Sequence, residues 1–150
     1  MTKTEKISHW AVVIIAVSAV IVSIWQVRLS QRHNQLSVRP YLDFFSGYQE
    51  ASVWEVTLTN EGVGPAILQK MEVTYKGETH NNWDFVLQDS LMRKIWLNSA
   101  VFAPPSPFAA NKEITLLKLN REEVKGPLGI KVRLEYESIY EEKFDLDMEF

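Results

Sequence analysis

Hydrophobic and polar positions along the chain follow two regimes. From Trp10 to Val27 the sequence reads WAVVIIAVSAVIVSIWQV, without a charge, a proline or a glycine. At about 1.5 Å per residue an eighteen-residue helix reaches about 27 Å, close to the roughly 30 Å hydrocarbon core of a bilayer. So many β-branched residues would make a poor helix in water. In lipid the backbone has no other hydrogen-bonding partner, so helix is the forced choice. Trp10 and Trp25 stand near the two ends, where indole rings settle at headgroup level, and Lys6 and Arg28 flank them. A helix apolar on every face belongs in a core larger than the rest of this chain can build. A secretory leader has a shorter apolar run than this one: Ala16-Val17-Ser18 supplies small residues, but the run continues past them. The pattern predicts a basic tail over 1–9 and a transmembrane helix over 10–27. Ala19 and Ser23 have the small-xxx-small spacing that lets membrane helices approach closely.

Residues 28–39 hold no helix breaker before Ser37, and Pro40 pushes Arg39 out of the α region. A helical collar is expected to near Leu36, with Arg28, Arg32 and His33 on roughly one side to meet anionic headgroups. From Tyr41 the period changes from helical to two. Tyr41–Phe45 is a short aromatic strand. Over Ser52–Thr59, Trp54, Val56 and Leu58 alternate with Val53, Glu55, Thr57 and Thr59. Asn60-Glu61-Gly62-Val63-Gly64-Pro65 is dense turn chemistry, in which Gly and Asn are expected to supply positive φ and Pro65 to stop the ladder. Ala66–Lys76 alternates again, with Ile67, Gln69, Met71, Val73 and Tyr75 on one face. Within 82–97, Trp83, Leu87, Leu91 and Ile95 recur every four residues, which predicts one helix, with a break expected near Ser90. Ala103–Pro107 is a stiff loop. Glu113–Leu119, Leu128–Glu137 and Glu142–Phe150 are three more strands, the last with Phe144, Leu146, Met148 and Phe150 facing one way.

Six or seven short strands with turns at intervals of about 8–12 residues predict a mainly β domain over 40–150: an antiparallel sandwich of immunoglobulin type with a helical insertion. Val56-Thr57-Leu58-Thr59-Asn60-Glu61-Gly62 resembles the strand-then-turn of bacterial immunoglobulin-like adhesion modules, and Val73-Thr74-Tyr75-Lys76-Gly77 is similar to the end of their next strand. The whole chain resembles uncharacterised bacterial single-pass membrane proteins. The likeness rests on the segment Arg32–Pro40, the turn Asn60-x-Gly62-x-Gly64-Pro65-Ala66 and the late Tyr136-Glu137-Ser138-Ile139-Tyr140. The resemblance implies an architecture and no activity.

Charge sharpens this division. Residues 1–39 carry five Lys and Arg against one Glu, and residues 40–150 carry 11 against 18 acids. An acidic domain repels polyanions, so no nucleic-acid partner is expected. The chain has no cysteine, which excludes disulfides, thiolate metal sites and a cysteine nucleophile. His9, His33 and His80 are too scattered for zinc. No Gly-x-Ser-x-Gly elbow exists, and Gly62-Val63-Gly64-Pro65 lacks the Lys-Ser/Thr of a phosphate loop. The acids Glu141, Glu142, Asp145, Asp147 and Glu149 read as the wet side of an edge strand, without calcium-loop spacing. No catalytic, cofactor or metal residue is therefore expected. The residues singled out are Trp10, Trp25, Arg28 and Arg32 for the membrane interface and Asn60, Gly62, Gly64 and Pro65 for a structural turn.

The expected function is a membrane-anchored, non-catalytic interaction module in the inner (plasma) membrane, with the bilayer and a protein as partners and a homo-oligomer as a further option. The alternative is a ligand-sensing or membrane-acting effector that oligomerises through its helix. Basic residues on the two sides of the helix nearly balance, and the collar favours the cytoplasmic face for the domain.

Overall fold

A computed structural model describes residues 3–50, 52–122 and 126–150, with side chains from Ile7 onward. Helix α1 covers Lys3–Ser37, 35 residues, or about 52 Å at the rise of an α-helix. The expected basic tail is thus helical from Lys3 onward. Thr4, Glu5 and Lys6 carry no breaker, so the helix extends beyond the apolar run on its N-terminal side. The helix stops where Pro40 forbids another turn, and Ser37 Oγ caps a late carbonyl by donating to Asn34 O at 2.9 Å. From Ile7 to Ser37 it is long and apolar enough to cross a membrane, and none of its apolar run is buried.

The chain divides into two compact units, Met1–Ser37 and Val38–Phe150. In the second, every strand pairing among the described residues is antiparallel. Its strands are β1 (Leu42–Tyr48), β2 (Val53–Asn60), β3 (Ala66–Tyr75), β4 (Glu78–His80), β5 (Trp96–Ser99), β6 (Ser106–Phe108), β7 (Glu113–Asn120), β8 (Ile130–Glu137) and β9 (Lys143–Glu149). One sheet has the order β1-β2-β7-β5 and the other β4-β3-β8-β9, with β6 beside the start of β3. The mainly β reading with an N-terminal apolar helix therefore holds. Three short strands were not legible as strands. β4 follows the tight turn at Lys76-Gly77, β5 lies in the expected helix, and β6 lies partly inside the expected Ala103–Pro107 loop.

The inner faces of the two sheets share one core. Val56, Leu58, Leu117 and Leu119 come from the first sheet, and Leu68, Val73, Ile130 and Leu134 from the second. Each such side chain contributes roughly 1.5–3 kcal/mol when fully buried. Two bulges correct the simple alternation. Between Leu68 and Lys70 the register of β3 against β8 slips by one, so Leu68 and Met71 both face the core and Gln69 points out. The expected face of Ile67, Gln69 and Met71 therefore does not exist. Between Val56 and Thr57 the pairing with β7 also slips, and Leu116 and Leu117 are both buried. An extra residue on one strand reverses which side its successors face.

The helical insertion expected over 82–97 is present and is broken just before Ser90, as expected, but its helical part is shorter. It is a 3₁₀ turn (Val86–Gln88), an extended Asp89, a short helix α2 (Ser90–Ile95) and then strand β5. The buried residues are Trp83, Val86, Met92 and Ile95, whereas Leu91 is exposed. Asp89 breaks the helix because its carboxylate caps the next one. Oδ1 accepts from Leu91 N at 2.8 Å and Met92 N at 3.3 Å. Oδ2 accepts from Lys76 Nζ at 2.5 Å and from the Tyr75 hydroxyl at 3.3 Å, which ties the insert to the end of β3. Trp83 Nε1 donates to Ala100 O at 3.0 Å and its ring meets Trp96 edge-on.

The Lys76 ammonium, followed by the Leu91 amide, holds the Asp89 carboxyl down at about 2, against 3.8 for a free aspartate. The folded state therefore binds this proton less readily than the unfolded chain. The stabilisation is complete above about pH 4 and disappears as pH falls through about 2. Urea midpoints measured from pH 5 down to pH 2 should fall less steeply for Asp89→Asn than for the parent. Equal slopes would show that Asp89 does not carry this acid sensitivity.

Candidate functional site

The turn after β2 is the most highly connected polar site in the domain. Asn60 is wholly buried at the end of β2, opposite Leu42. Its Oδ1 accepts from Tyr41 N at 3.2 Å and Gly62 N at 3.0 Å. Its Nδ2 lies 2.9 Å from Gly64 O, 3.3 Å from Phe108 O and 3.2 Å from Ala109 O. Its backbone donates to Lys112 O and accepts from Asn111 N, both at 2.9 Å. A side-chain amide is suited to this role because it presents donors and an acceptor on one planar group.

The glycines serve a different purpose from the one their turn suggests. Neither Gly62 nor Gly64 has positive φ; among the described glycines that conformation belongs to Gly77, Gly126 and Gly129. A Cβ on Gly62 would lie 2.3 Å from Tyr41 N, and one on Gly64 would lie 1.7 Å from Val38 O. They are glycines because the backbone of Val38–Tyr41 runs directly against them. Gly64 N donates to Arg39 O at 3.4 Å and Glu61 N to Tyr41 O at 2.8 Å. Pro65 follows and β3 begins at Ala66.

Two further contacts hold the same end of the sandwich. The Arg39 guanidinium lies 4.9 Å over the Phe144 ring, which stacks on Tyr136. The Tyr136 hydroxyl accepts from Leu42 N at 3.5 Å, and burial pushes this phenol above its usual range. Ser138, also buried, accepts through Oγ from Tyr140 N and Glu142 N, both at 3.2 Å, and so builds the β8–β9 turn. The segment that follows α1 is thus held by the turn after β2, by β8 and by β9. Sequence reasoning found Asn60, Gly62, Gly64 and Pro65 but not what they hold. The available signal was glycine at alternate positions after an asparagine.

The four residues expected at a membrane interface all lie on α1. Trp10 and Trp25 are 69% and 70% exposed, and fifteen positions separate them by about 22 Å along the axis. Arg28 and Arg32 are four apart and share a stripe. His33 lies about 140° round the helix from Arg28, so the three do not share one side as expected. Ser23 Oγ donates to Ala19 O at 2.8 Å, so this hydroxyl is engaged within its own helix.

Several polar groups elsewhere make structural contacts. Glu55, buried on the outer side of the first sheet, accepts from the Thr115 hydroxyl and lies 3.6 Å from Lys118 Nζ. His80 stacks on Phe85 at 4.2 Å. Among the described residues no three His, Asp or Glu side chains gather as a metal site.

Residues 7–150 match the family described as Domain of unknown function (DUF8453). The chain belongs to the DUF8453 family. The match takes in the apolar part of α1 together with the whole sandwich, so the family spans both units. No curated protein and no solved structure matches the chain.

Proposed function

We propose that this DUF8453 chain is a membrane-anchored, non-catalytic interaction module. The observation that carries the reading is that α1 keeps a long apolar run wholly exposed, while the core of the domain is built from Val38–Phe150 alone. In this reading α1 crosses the inner (plasma) membrane over 10–27, with Trp10 and Trp25 at the two headgroup levels and Arg28 and Arg32 against phosphates. The basic collar favours the cytoplasmic face for the sandwich. The strand orders support the immunoglobulin type. Read in chain order, β1-β2-β7-β5 corresponds to A-B-E-D and β4-β3-β8-β9 to C′-C-F-G. Folds of this kind bind partners through edges and loops, and the fold itself names no chemistry. The non-catalytic reading rests on the sequence, in which no nucleophile, base and orienting group share a motif.

Two experiments test this reading. Alkaline carbonate should leave the parent chain in the membrane pellet. Ala16→Arg with Ala19→Arg, each costing about 2.5–3.5 kcal/mol at the centre of a span, should release it. Extraction of the parent would end the anchored reading. Photocrosslinking groups placed one at a time over the sandwich, in native membranes, should yield a protein adduct. Adducts with lipid alone, from every position, would defeat the interaction module.

A further inference from the structure

β9 is the outermost strand of its sheet, and among the described residues no strand pairs with its far side. The ladder to β8 shows which backbone groups are unused. Phe150 N donates to Ile130 O at 2.9 Å and Ile130 N to Phe150 O at 3.2 Å, while Ser138 N donates to Glu142 O at 2.9 Å. Antiparallel ladders alternate hydrogen-bonded and non-bonded pairs. The register then makes Val132↔Met148, Leu134↔Leu146 and Tyr136↔Phe144 the bonded pairs. Asp145, Asp147 and Glu149 therefore turn their N–H and C=O groups away from β8, toward the open edge.

The side chains along that edge specify what fits beside them. Leu146 and Met148 are half-buried on the inner side. Asp145, Asp147 and Glu149 are about 60% exposed on the outer side, at 62%, 63% and 61%. Their cations come from β8. Lys131 is 2.8 Å from Glu149, and Arg133 alone serves Asp145 at 3.8 Å and Asp147 at 3.9 Å. Lys143 begins the same row of β9 but stands opposite Glu137, and Glu135 stands opposite Asp145, so acids outnumber cations along this face. A strand added to the open edge places apolar residues beside Leu146 and Met148 and cations beside the three carboxylates. β8 already follows that pattern, with Lys131 and Arg133 alternating with Val132 and Leu134.

We propose that the open edge of β9 receives an extended segment of a protein partner in which basic and apolar residues alternate. This rests on the interaction-module reading and names its surface. The same carboxylates disfavour a second copy's β9, because Asp145 and Asp147 would face like charges across the new ladder and only Lys143 could answer an acid there.

The test uses the full chain in nanodiscs of zwitterionic phosphatidylcholine, which gives a basic peptide no anionic lipid to bind. The probes are a blocked peptide of about nine residues alternating Lys with Val and the same peptide with Glu for Lys. The Lys peptide should bind at least about tenfold more tightly than the Glu peptide. On binding, the amides of Asp145, Asp147 and Glu149 should exchange at least about tenfold more slowly, whereas those of Leu146 and Met148 are slow beforehand. Asp147→Pro removes an unused N–H and no β8–β9 bond, and should weaken the Lys peptide at least about tenfold. Asp145→Asn with Asp147→Asn leaves the backbone intact and should flatten the salt dependence of binding, whatever the fate of the proline variant. Equal binding of both peptides, no binding, or new protection on another strand would overturn the proposal. Crosslinks to a protein from β1 or β5, with no peptide binding at β9, would overturn the edge assignment while leaving the module reading in place.

Discussion

Asn60→Ala should lower the unfolding free energy by about 3–5 kcal/mol, at the upper end of single-residue effects. The size follows from what the substitution strands. The amide takes up the N–H groups of Tyr41 and Gly62 and reaches the carbonyls of Gly64, Phe108 and Ala109, all around a side chain with no exposed surface. A buried backbone group left without a partner costs about 1–3 kcal/mol, and water entering the small void recovers part of that. Asn60→Asp separates the two halves of the amide. It keeps the acceptor for Tyr41 and Gly62 but turns a carboxylate toward three carbonyl oxygens. It should be as damaging as alanine at neutral pH and should regain stability on acidification, when a protonated carboxyl can donate again. Urea titration of the full chain in detergent, followed by tryptophan fluorescence at several pH values, measures both variants. A loss below about 1 kcal/mol for Asn60→Ala would mean that water replaces the amide easily and that the turn is not the hub described.

Gly64→Ala should be comparably severe, for a steric reason. The added methyl would lie 1.7 Å from Val38 O and 2.3 Å from Val38 C. Backbone has no rotamer to move into. Gly64 is itself held between Arg39 O and the Asn60 amide, so relief requires Val38–Pro40 to leave its place. A cost of about 3 kcal/mol or more is expected, a fall in Tm on the order of 10 °C. Gly77→Ala is the informative control. Gly77 has φ of +86° with nothing within 4 Å of a built Cβ, so alanine there meets backbone strain alone, about 1–2 kcal/mol. If Gly64→Ala and Gly77→Ala cost the same, close packing against Val38 is not what selects glycine at 64. Limited proteolysis should also show Val38–Tyr41 newly cleaved in Gly64→Ala and intact in Gly77→Ala.

Together these variants test how the segment Val38–Tyr41 is held against the turn after β2. α1 ends at Ser37, and the next four residues, Val38–Tyr41, already belong to the sandwich through hydrogen bonds and glycine contacts.

The sequence alone determined the features that depend on local composition and period. Eighteen uncharged residues specify an apolar helix wherever they sit, and Pro40 specifies where it stops. Alternation in β2, β8 and β9 specifies strands because one buried face demands a period of two. Features that depend on contacts distant in sequence were decided only by the tertiary structure. The bulges in β3 and β7 answer the register of a partner strand, so Gln69 and Leu116 carry no local mark of being extra. Trp83, Leu87, Leu91 and Ile95 have a helical spacing, yet Asp89 caps a shorter helix and Trp96 joins a sheet because β7 stands there to receive it. Gly62 and Gly64 read locally as turn residues with positive φ. They are glycines because a segment more than twenty positions earlier passes within a methyl's width of them, and a close approach of that kind exists only once the chain has folded.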